Sequence, residues 1–393
     1  MKKPEAARVL RASLTAAAVL AVSGTTAAAA AAKTLYVAKS GSDANACTKK
    51  AACATIGHAV GKAHKGDTVK VAAGTYAEMV TVSDNISLVG SGATIDAAGL
   101  PNGVLIDGIN GKPAGAVVRG FTVEHANFEG ILAQHTSRLK ISGNEVRDND
   151  LGMFATSPTG ECAPNGQIPG DCGEGIHLMS VTNSHVTGNT VTANSGGILL
   201  TDELGATARN TISGNRVLGN LYDCGITVAG HNPNAISAKG KLAPKTAGIY
   251  RNTISKNVSN GNGIKGEGAG ILLAVAGPGA AVYDNLVQGN TANNNNLAGV
   301  TLHLHAPGSY LNGNKIIGNR LSNDGLGGDP DFGVKDTIGI LVGSAANKLK
   351  GTVISGNRIS DVHFGIWTEN VPTIKRKSNK FHNVNEPLTQ TNT

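Results

Sequence analysis

One eight-residue pattern recurs along this chain and constrains its fold more than any other feature. It reads Asn, any residue, Ile or Val, any residue, Gly-Asn, any residue, then an aliphatic. Asn210-Thr211-Ile212-Ser213-Gly214-Asn215-Arg216-Val217 is the clearest copy. Others begin at Asn252, Asn285 and Asn314, and looser ones end at Asn144, Asn189, Asn357 and Asn379. After each copy comes a short segment opening with Gly and an apolar residue: Gly152-Met153, Gly197-Ile198, Gly225-Ile226, Gly270-Ile271, Gly299-Val300, Gly339-Ile340 and Gly365-Ile366. Asn144 to Gly152 takes 8 residues and Gly175 to Asn189 takes 14, so a minimal turn is 22 residues. That is too short for a repeat containing a helix and right for a coil of short strands stacked as a parallel β-helix.

Within each copy, apolar residues alternate with Ser, Thr, Lys and Gln, the period of a strand with one buried face. Ile212 and Val217 are expected inside, Ser213 and Arg216 outside. Gly-Asn falls where the chain must turn a corner in about two residues, and these two residue types enter the left-handed region at lowest cost. Stacked copies bring the asparagines about 4.8 Å apart, close enough for a ladder of side-chain amide bonds. The aromatic content of 3% suits a narrow interior filled by aliphatics. The 53 glycines do not signal disorder, because Ile and Val recur among them at fixed intervals.

The first 32 residues read as a secretory signal: Lys2, Lys3, Arg8 and Arg11, then apolar Leu14 to Val22, then the alanine run Ala27 to Ala32. No later stretch reaches the roughly 18 apolar residues of a membrane span. The expected product is secreted, extracellular or periplasmic. Of the net charge of +7, the leader carries +3, leaving +4. That balance is compatible with a polyanionic partner, and no motif with interleaved aromatics points to nucleic acid. Among the five cysteines, local spacing pairs Cys47 with Cys53 and Cys162 with Cys172 and leaves Cys224 as a buried thiol; neither pair has zinc spacing.

Residues 33–93 are expected to hold an N-terminal cap and the first strands, among them Leu35-Tyr36-Val37 and Thr68-Val69-Lys70-Val71, and to cover the first coil. Ala54 to His64 has the spacing of an amphipathic helix, with Ile56, Ala59, Val60 and Ala63 on one face, and an open strand edge needs such a cover. The run Tyr36-Val37-Ala38, Ala54-Thr55-Ile56, Ala59-Val60, Gly66-Asp67-Thr68-Val69 and Ala73-Gly74-Thr75-Tyr76 resembles the opening segment of secreted right-handed β-helix proteins of the pectate-lyase-like superfamily. The resemblance covers nearly all of the mature chain. It implies an all-β, single-stranded right-handed parallel β-helix over residues 94–384, with a short N-terminal capping helix and a tail at 385–393. It does not select among the lyases, hydrolases, epimerases, esterases and binding proteins of that superfamily.

Chemistry is sought in the insertions and in the outward residues of the Gly-initiated strands. The long insertions are residues 155–174, 225–257 and 319–339. Aligned by their first Gly, successive strands bring His135, Asp202 and Glu203, His231, His303 and His305, and Glu369 to similar levels. Asp202 or Glu203 with His231, His303 and His305 is a candidate acid–base group for a sugar polymer. Asp202 is preferred over Glu203, since neighbours on a strand face opposite ways. Glu174 and His177, the latter expected to point outward, are a second candidate catalytic group. Lys239, Lys241 and Arg251 are candidate substrate contacts. Asp329 and Asp331, with Asp336, form an acidic loop that could hold Ca²⁺ by its oxygens. Thr201-Asp202 and Gly230-His231 echo fragments of polygalacturonase blocks, but the Asp-Asp and Arg-Ile-Lys blocks are missing; Asp329-Pro330-Asp331 lacks the His of an epimerase block. Two functions stay open: a polysaccharide-active enzyme (lyase, glycoside hydrolase or epimerase), or a β-helix that binds a glycan or surface without catalysis.

Overall fold

The computed structural model describes residues 31–152, 173–345, 349–371 and 375–391. These form one 33-stranded parallel sheet wound into a right-handed β-helix. The interior is built of aliphatic columns set by strand register. On the first wall Ile141, Val186, Ile212, Ile254, Val287, Ile316 and Ile354 stack. On the third, Gly-initiated wall, Ile176, Ile198, Ile226, Ile271, Val300, Ile340 and Ile366 do the same. All of these are buried. A side chain at the opening Gly of the third wall has no room: a Cβ on Gly197 would lie 2.1 Å from the Gly225 carbonyl oxygen and 2.3 Å from Val217.

The asparagine ladder exists, and it is one of three. The expected series runs Asn144, Asn189, Asn215, Asn257, Asn290, Asn319, Asn357, Asn379. Each amide donates to the Oδ1 of the next at 2.9–3.0 Å, as from Asn215 to Asn257 at 3.0 Å. A second ladder joins Asn210, Asn252, Asn285 and Asn314. A third joins Asn149, Asn194, Asn220, Asn262, Asn295 and finally Asp324. Each Oδ1 also takes the backbone N–H of the preceding rung, and each Nδ2 reaches a carbonyl on the coil behind, as Asn215 does to Val186 at 2.9 Å. The left-handed residue is the one before each rung: Gly188, Gly214, Lys256 and Gly289 in the first ladder, Arg251 and Asp284 in the second, Asp148 and Ala193 in the third. Turning falls to that residue, and the Asn is freed to satisfy backbone groups that a tight corner would strand.

Two expected boundaries shift. Thr34–Val37 and Thr68–Val71, expected as strands of the cap, pair in register with the first wall and so belong to the β-helix, which begins before the expected residue 94. At the other end Lys380–Thr391 pairs with Arg358–Glu369 to its last residue, so 385–391 is strand and not tail. The helix is Ile56–Lys62 and packs on the first strands through Ile56, Ala59 and Val60. Thr55 caps it, and Glu78 accepts the N–H groups of Ile56 and Gly57 at 2.8 and 2.7 Å. Cys47 and Cys53 form a disulfide, and Cys224 is a buried free thiol. The Cys162–Cys172 pair and the leader 1–30 lie outside the described residues. Among the described residues no helix is long and apolar enough to cross a membrane.

Candidate functional site

The outer surface of the third wall carries two columns of side chains. His177 stands in one, level with Leu132 and Leu199. Thr201 and His303 stand in the other, level with Ala229 and with Ala274 and Gly343 respectively. The strand Gly196–Thr201 ends just before Asp202 and Glu203, and the next coil's strand, Ile226–Gly230, ends just before His231. Asp202, Glu203 and His231 therefore leave the wall at one level.

The structure reverses the preference between the two acids. Asp202 is fully buried. Its Oδ1 accepts the N–H groups of His231 at 2.8 Å and Asn232 at 3.1 Å, and its Oδ2 accepts that of Gly248 at 2.7 Å. It clamps both ends of the insertion 231–248 to the coil, so it is a structural residue and not a partner of an imidazole. Burial raises its carboxyl above the usual range despite those three donors. The acid that meets His231 is Glu203, with Oε1 2.7 Å from Nδ1. Burial acts to raise the Glu203 carboxyl; the His231 bond and the charges of His177 and His231 outweigh it and hold the group down to about 2.

His177 points out of the barrel interior, as its parity requires, but it is covered: only 2% of it is exposed. Its Nδ1 lies 3.2 Å from Glu129 Oε1 and its Nε2 2.8 Å from the Thr201 hydroxyl. Thr201 also bonds Glu203. Glu129, His177, Thr201, Glu203 and His231 thus form one chain of hydrogen bonds across successive coils, with Glu174 beside His177. Glu129 and Thr201 were not foreseen. A signal for Glu129 was present, since Glu129-Gly130-Ile131 repeats as Glu174-Gly175-Ile176 on the neighbouring coil.

His303 and His305 lie apart from that chain. The acidic insertion folds onto them: Asp329 Oδ2 is 2.9 Å from His303 Nε2, and Asp331 Oδ2 is 3.5 Å from His303 Nδ1 and 3.9 Å from His305 Nδ1. The expected oxygen cage for Ca²⁺ does not assemble, because Asp329 and Asp331 converge on an imidazole and not on a shared point. Asp336 is exposed and outside the cluster.

A groove of about 580 Å³ opens beside the segment that follows Glu203. Leu204, Gly205 and Ala206 line it, with Pro244, Lys245 and Thr246 of the long insertion on one lip and Lys112 to Ala114 on the other. His135, Thr136, Ser137, Ser180, Thr182 and Tyr250 also line it, and among the described residues the lining includes no Asp or Glu. His135 and Ser180 both adopt left-handed backbone where the third wall bends, so the His135 side chain is exposed at an outer turn. Of the basic run in the insertion, Lys245 reaches the groove; Lys239 and Lys241 are exposed and outside it. Arg251 is the left-handed corner residue before Asn252, which accounts for its place without a ligand. The insertion covers a small apolar cluster of Ala208, Ala235, Ala247, Tyr250, Ala281 and Tyr283. A second basic surface lies on another wall near the C-terminus, where Arg320, Arg358 and Lys380 stack in register.

Comparison with solved structures identifies the same fold elsewhere. An alginate lyase from Paenibacillus sp. str. FPU-7 superposes with a TM-score of 0.57 at 14% identity, covering 91% of this chain and 98% of that one. The pectate lyase Pel9A (TM-score 0.48, 15% identity, 88% and 79%) and the A-module of the Azotobacter vinelandii mannuronan C-5 epimerase AlgE4 (0.47, 15%, 83% and 91%) are more distant. At such identities the likeness speaks to fold alone. No curated protein matches the sequence. A family model does: the one described as periplasmic copper-binding protein (NosD) matches residues 122–325, just over half of the chain, and the chain belongs to that family.

Proposed function

We propose that this is an extracytoplasmic β-helix protein that binds an anionic, uronate-containing polysaccharide in the groove between Lys112 and Lys245 and acts on it by proton abstraction. The observation that carries the reading is the composition of that groove: two lysines and His135, with no carboxylate in the lining among the described residues. Glycoside hydrolysis needs a pair of carboxyl groups, one of them protonated. Glu203, held at about 2, is ionised at any ordinary pH, and Asp202 is occupied by three backbone donors. Elimination or epimerisation asks for something different. A base removes the proton α to the uronate carboxylate, and nearby cations stabilise the charge that develops there. Lys112 and Lys245 suit the second task and His135 the first. Expulsion of the 4-linked oxygen then cleaves the chain and leaves an unsaturated sugar; return of a proton to the opposite face inverts the centre instead.

His231 is the other imidazole of this region. Glu203 Oε1 holds its Nδ1 at 2.7 Å, and the His231 side chain is only 8% exposed. The family's description names copper and a periplasmic location. The basic-then-apolar start of this chain supports export, and any metal must be argued from its own donor atoms.

Incubation of the protein with alginate, polygalacturonate and a neutral glycan tests the reading, following unsaturated-product absorbance, reducing ends and the epimer ratio by NMR. His135→Ala should lower turnover at least about 100-fold, and Lys112→Ala with Lys245→Ala should abolish binding. Loss of turnover with His231→Ala but not His135→Ala would move the base to the Glu203–His231 pair. Loss of binding in Arg320→Ala/Arg358→Ala, with the groove variants unaffected, would place the glycan on the other wall. Binding without turnover of any glycan would leave a binding protein, and no binding at all would end the proposal.

A further inference from the structure

His303 lies on the strand Val300–Leu304 and His305 is the first residue beyond its end, two positions on. Their rings meet edge to face with centroids 5.2 Å apart. His303 is fixed from three sides. Asp329, itself fully buried, takes Nε2; Phe332 packs against the ring at 5.0 Å; and Asp331 faces Nδ1. Phe332 has this place only because the residue level with His303 on the next coil is Gly343, where a Cβ would lie 2.1 Å from the Phe332 ring. The result is a convergent donor set: Asp331 Oδ2 lies 3.5 Å from His303 Nδ1 and 3.9 Å from His305 Nδ1, and one ligand atom from each of the three residues lies within 4.8 Å of the others.

We infer that these three residues bind one divalent transition-metal ion, Cu²⁺ or Zn²⁺, with Asp329 as the residue that positions His303. A tetrahedral centre with bonds of about 2.0–2.1 Å separates its ligand atoms by roughly 3.4 Å. The contacts of 3.5 and 3.9 Å from Asp331 to the two rings need only slight closure to reach that. Two imidazoles and one carboxylate suit Cu²⁺ and Zn²⁺, and the Irving–Williams order puts Cu²⁺ first. Ca²⁺ needs six to eight oxygens, which this corner does not supply. A carboxylate on the far nitrogen of a ligand imidazole is the usual outer partner of a metal-binding histidine, fixing its tautomer and raising its basicity. His305 and Asp331 are partly exposed, with side-chain exposures of 36% and 48%, so the ion has an approach and a coordination position open to water or a substrate. This site is separate from the groove between Lys112 and Lys245, and neither reading depends on the other.

A merely structural cluster would latch the insertion to the wall without any preference for metal. Calorimetric titration of the full chain, after dialysis against EDTA, with Cu²⁺, Zn²⁺ and Ca²⁺ separates the two, together with EPR of the Cu²⁺ form. The expected result is one Cu²⁺ or Zn²⁺ per chain, no comparable Ca²⁺ binding, and nitrogen hyperfine structure from two imidazoles. His305→Gln and Asp331→Asn, both at exposed positions, should each weaken binding at least 10-fold with the metal-free Tm nearly unchanged. Asp329→Asn should weaken it about 10- to 100-fold while leaving the two-nitrogen signal. Equal Cu²⁺ affinity in wild type and the His305→Gln/Asp331→Asn double variant, or Ca²⁺ binding as tight as Zn²⁺, would overturn the assignment.

Discussion

The three corner ladders and the outer columns of the third wall are built on the same stacked coils and follow opposite rules. At the corners each coil repeats its neighbour: Asn189, Asn215, Asn257 and Asn290 occupy equivalent places with equivalent bonds. On the outer wall the levels are not held constant: the column containing Thr201 continues through Ala229 and Ala274 to His303 and Gly343. Repetition is a structural demand, since a corner has the same backbone groups to satisfy on every coil. An outer position on a solenoid carries no such demand, and departures there collect the imidazoles, the carboxylates and the insertions that fold over them.

The contrast is most severely tested at the centre of a ladder. Asn257→Ala removes the acceptor for the backbone and side-chain N–H groups of Asn215, and the donors to Ile212 and Asn290. We expect a loss of about 4–6 kcal/mol from several buried groups left unpaired, read from urea unfolding; the exposed Gln288→Ala should stay within about 0.5 kcal/mol. Equal effects would remove the distinction.

The end of the third ladder offers the opposite change. Asp324 accepts both N–H donors of Asn295 through Oδ1, and its Oδ2 occupies the place where every other rung carries an amide nitrogen. Burial lifts this carboxyl to about 7. Because the folded-state pKa is raised, the contribution to stability is fully present below about pH 4 and is lost as pH rises through 7. Asp324→Asn should stabilise the protein above pH 7, by at most about 4 kcal/mol, with the gap to wild type closing as pH falls toward 4. A Tm difference that is flat from pH 4 to 8 would contradict this.

Asp202 and Glu203 sharpen the comparison within the outer wall. Asp202→Ala strands three backbone N–H groups and should cost about 3 kcal/mol, with faster proteolysis in residues 231–248. Glu203→Gln should keep the fold but lower the Tm near neutral pH, with the gap to wild type closing as pH falls toward 2. The Glu203 pKa is depressed, so its contribution is present above about 4.5 and fades as pH falls toward 2. The variant should therefore flatten the acid limb of a Tm-versus-pH curve. An unaltered limb would mean that the His231 contact does not govern this group.

Much of the architecture was readable from local pattern. Ile212 inside, Ser213 outside, a turn at Gly214-Asn215 and a strand opening at Gly197 are each dictated by neighbours in sequence, because a solenoid's contacts lie one repeat away. Even so, the second and third ladders went unrecognised, although Asn210 and Asn252 stood in the motif. In those two ladders the left-handed residue is Arg251, Asp284, Asp148 or Ala193 as readily as Gly, so those corners have no fixed signature.

The site was legible only as an inventory. The sequence brought Asp202, Glu203, His231, His303 and Asp331 forward because acids and imidazoles recur at similar levels of the coil. By itself it determined the coil, its walls and the positions of the described insertions, all consequences of short-range periodicity. Which acid meets which imidazole depends on how insertions of unequal length close over the wall. That closure made Asp202 a clamp and Glu203 the partner of His231, and turned Asp329 and Asp331 away from a calcium cage onto His303. Those contacts bridge residues 26 to 46 positions apart through loops that repeat nothing, and only the tertiary structure decided them.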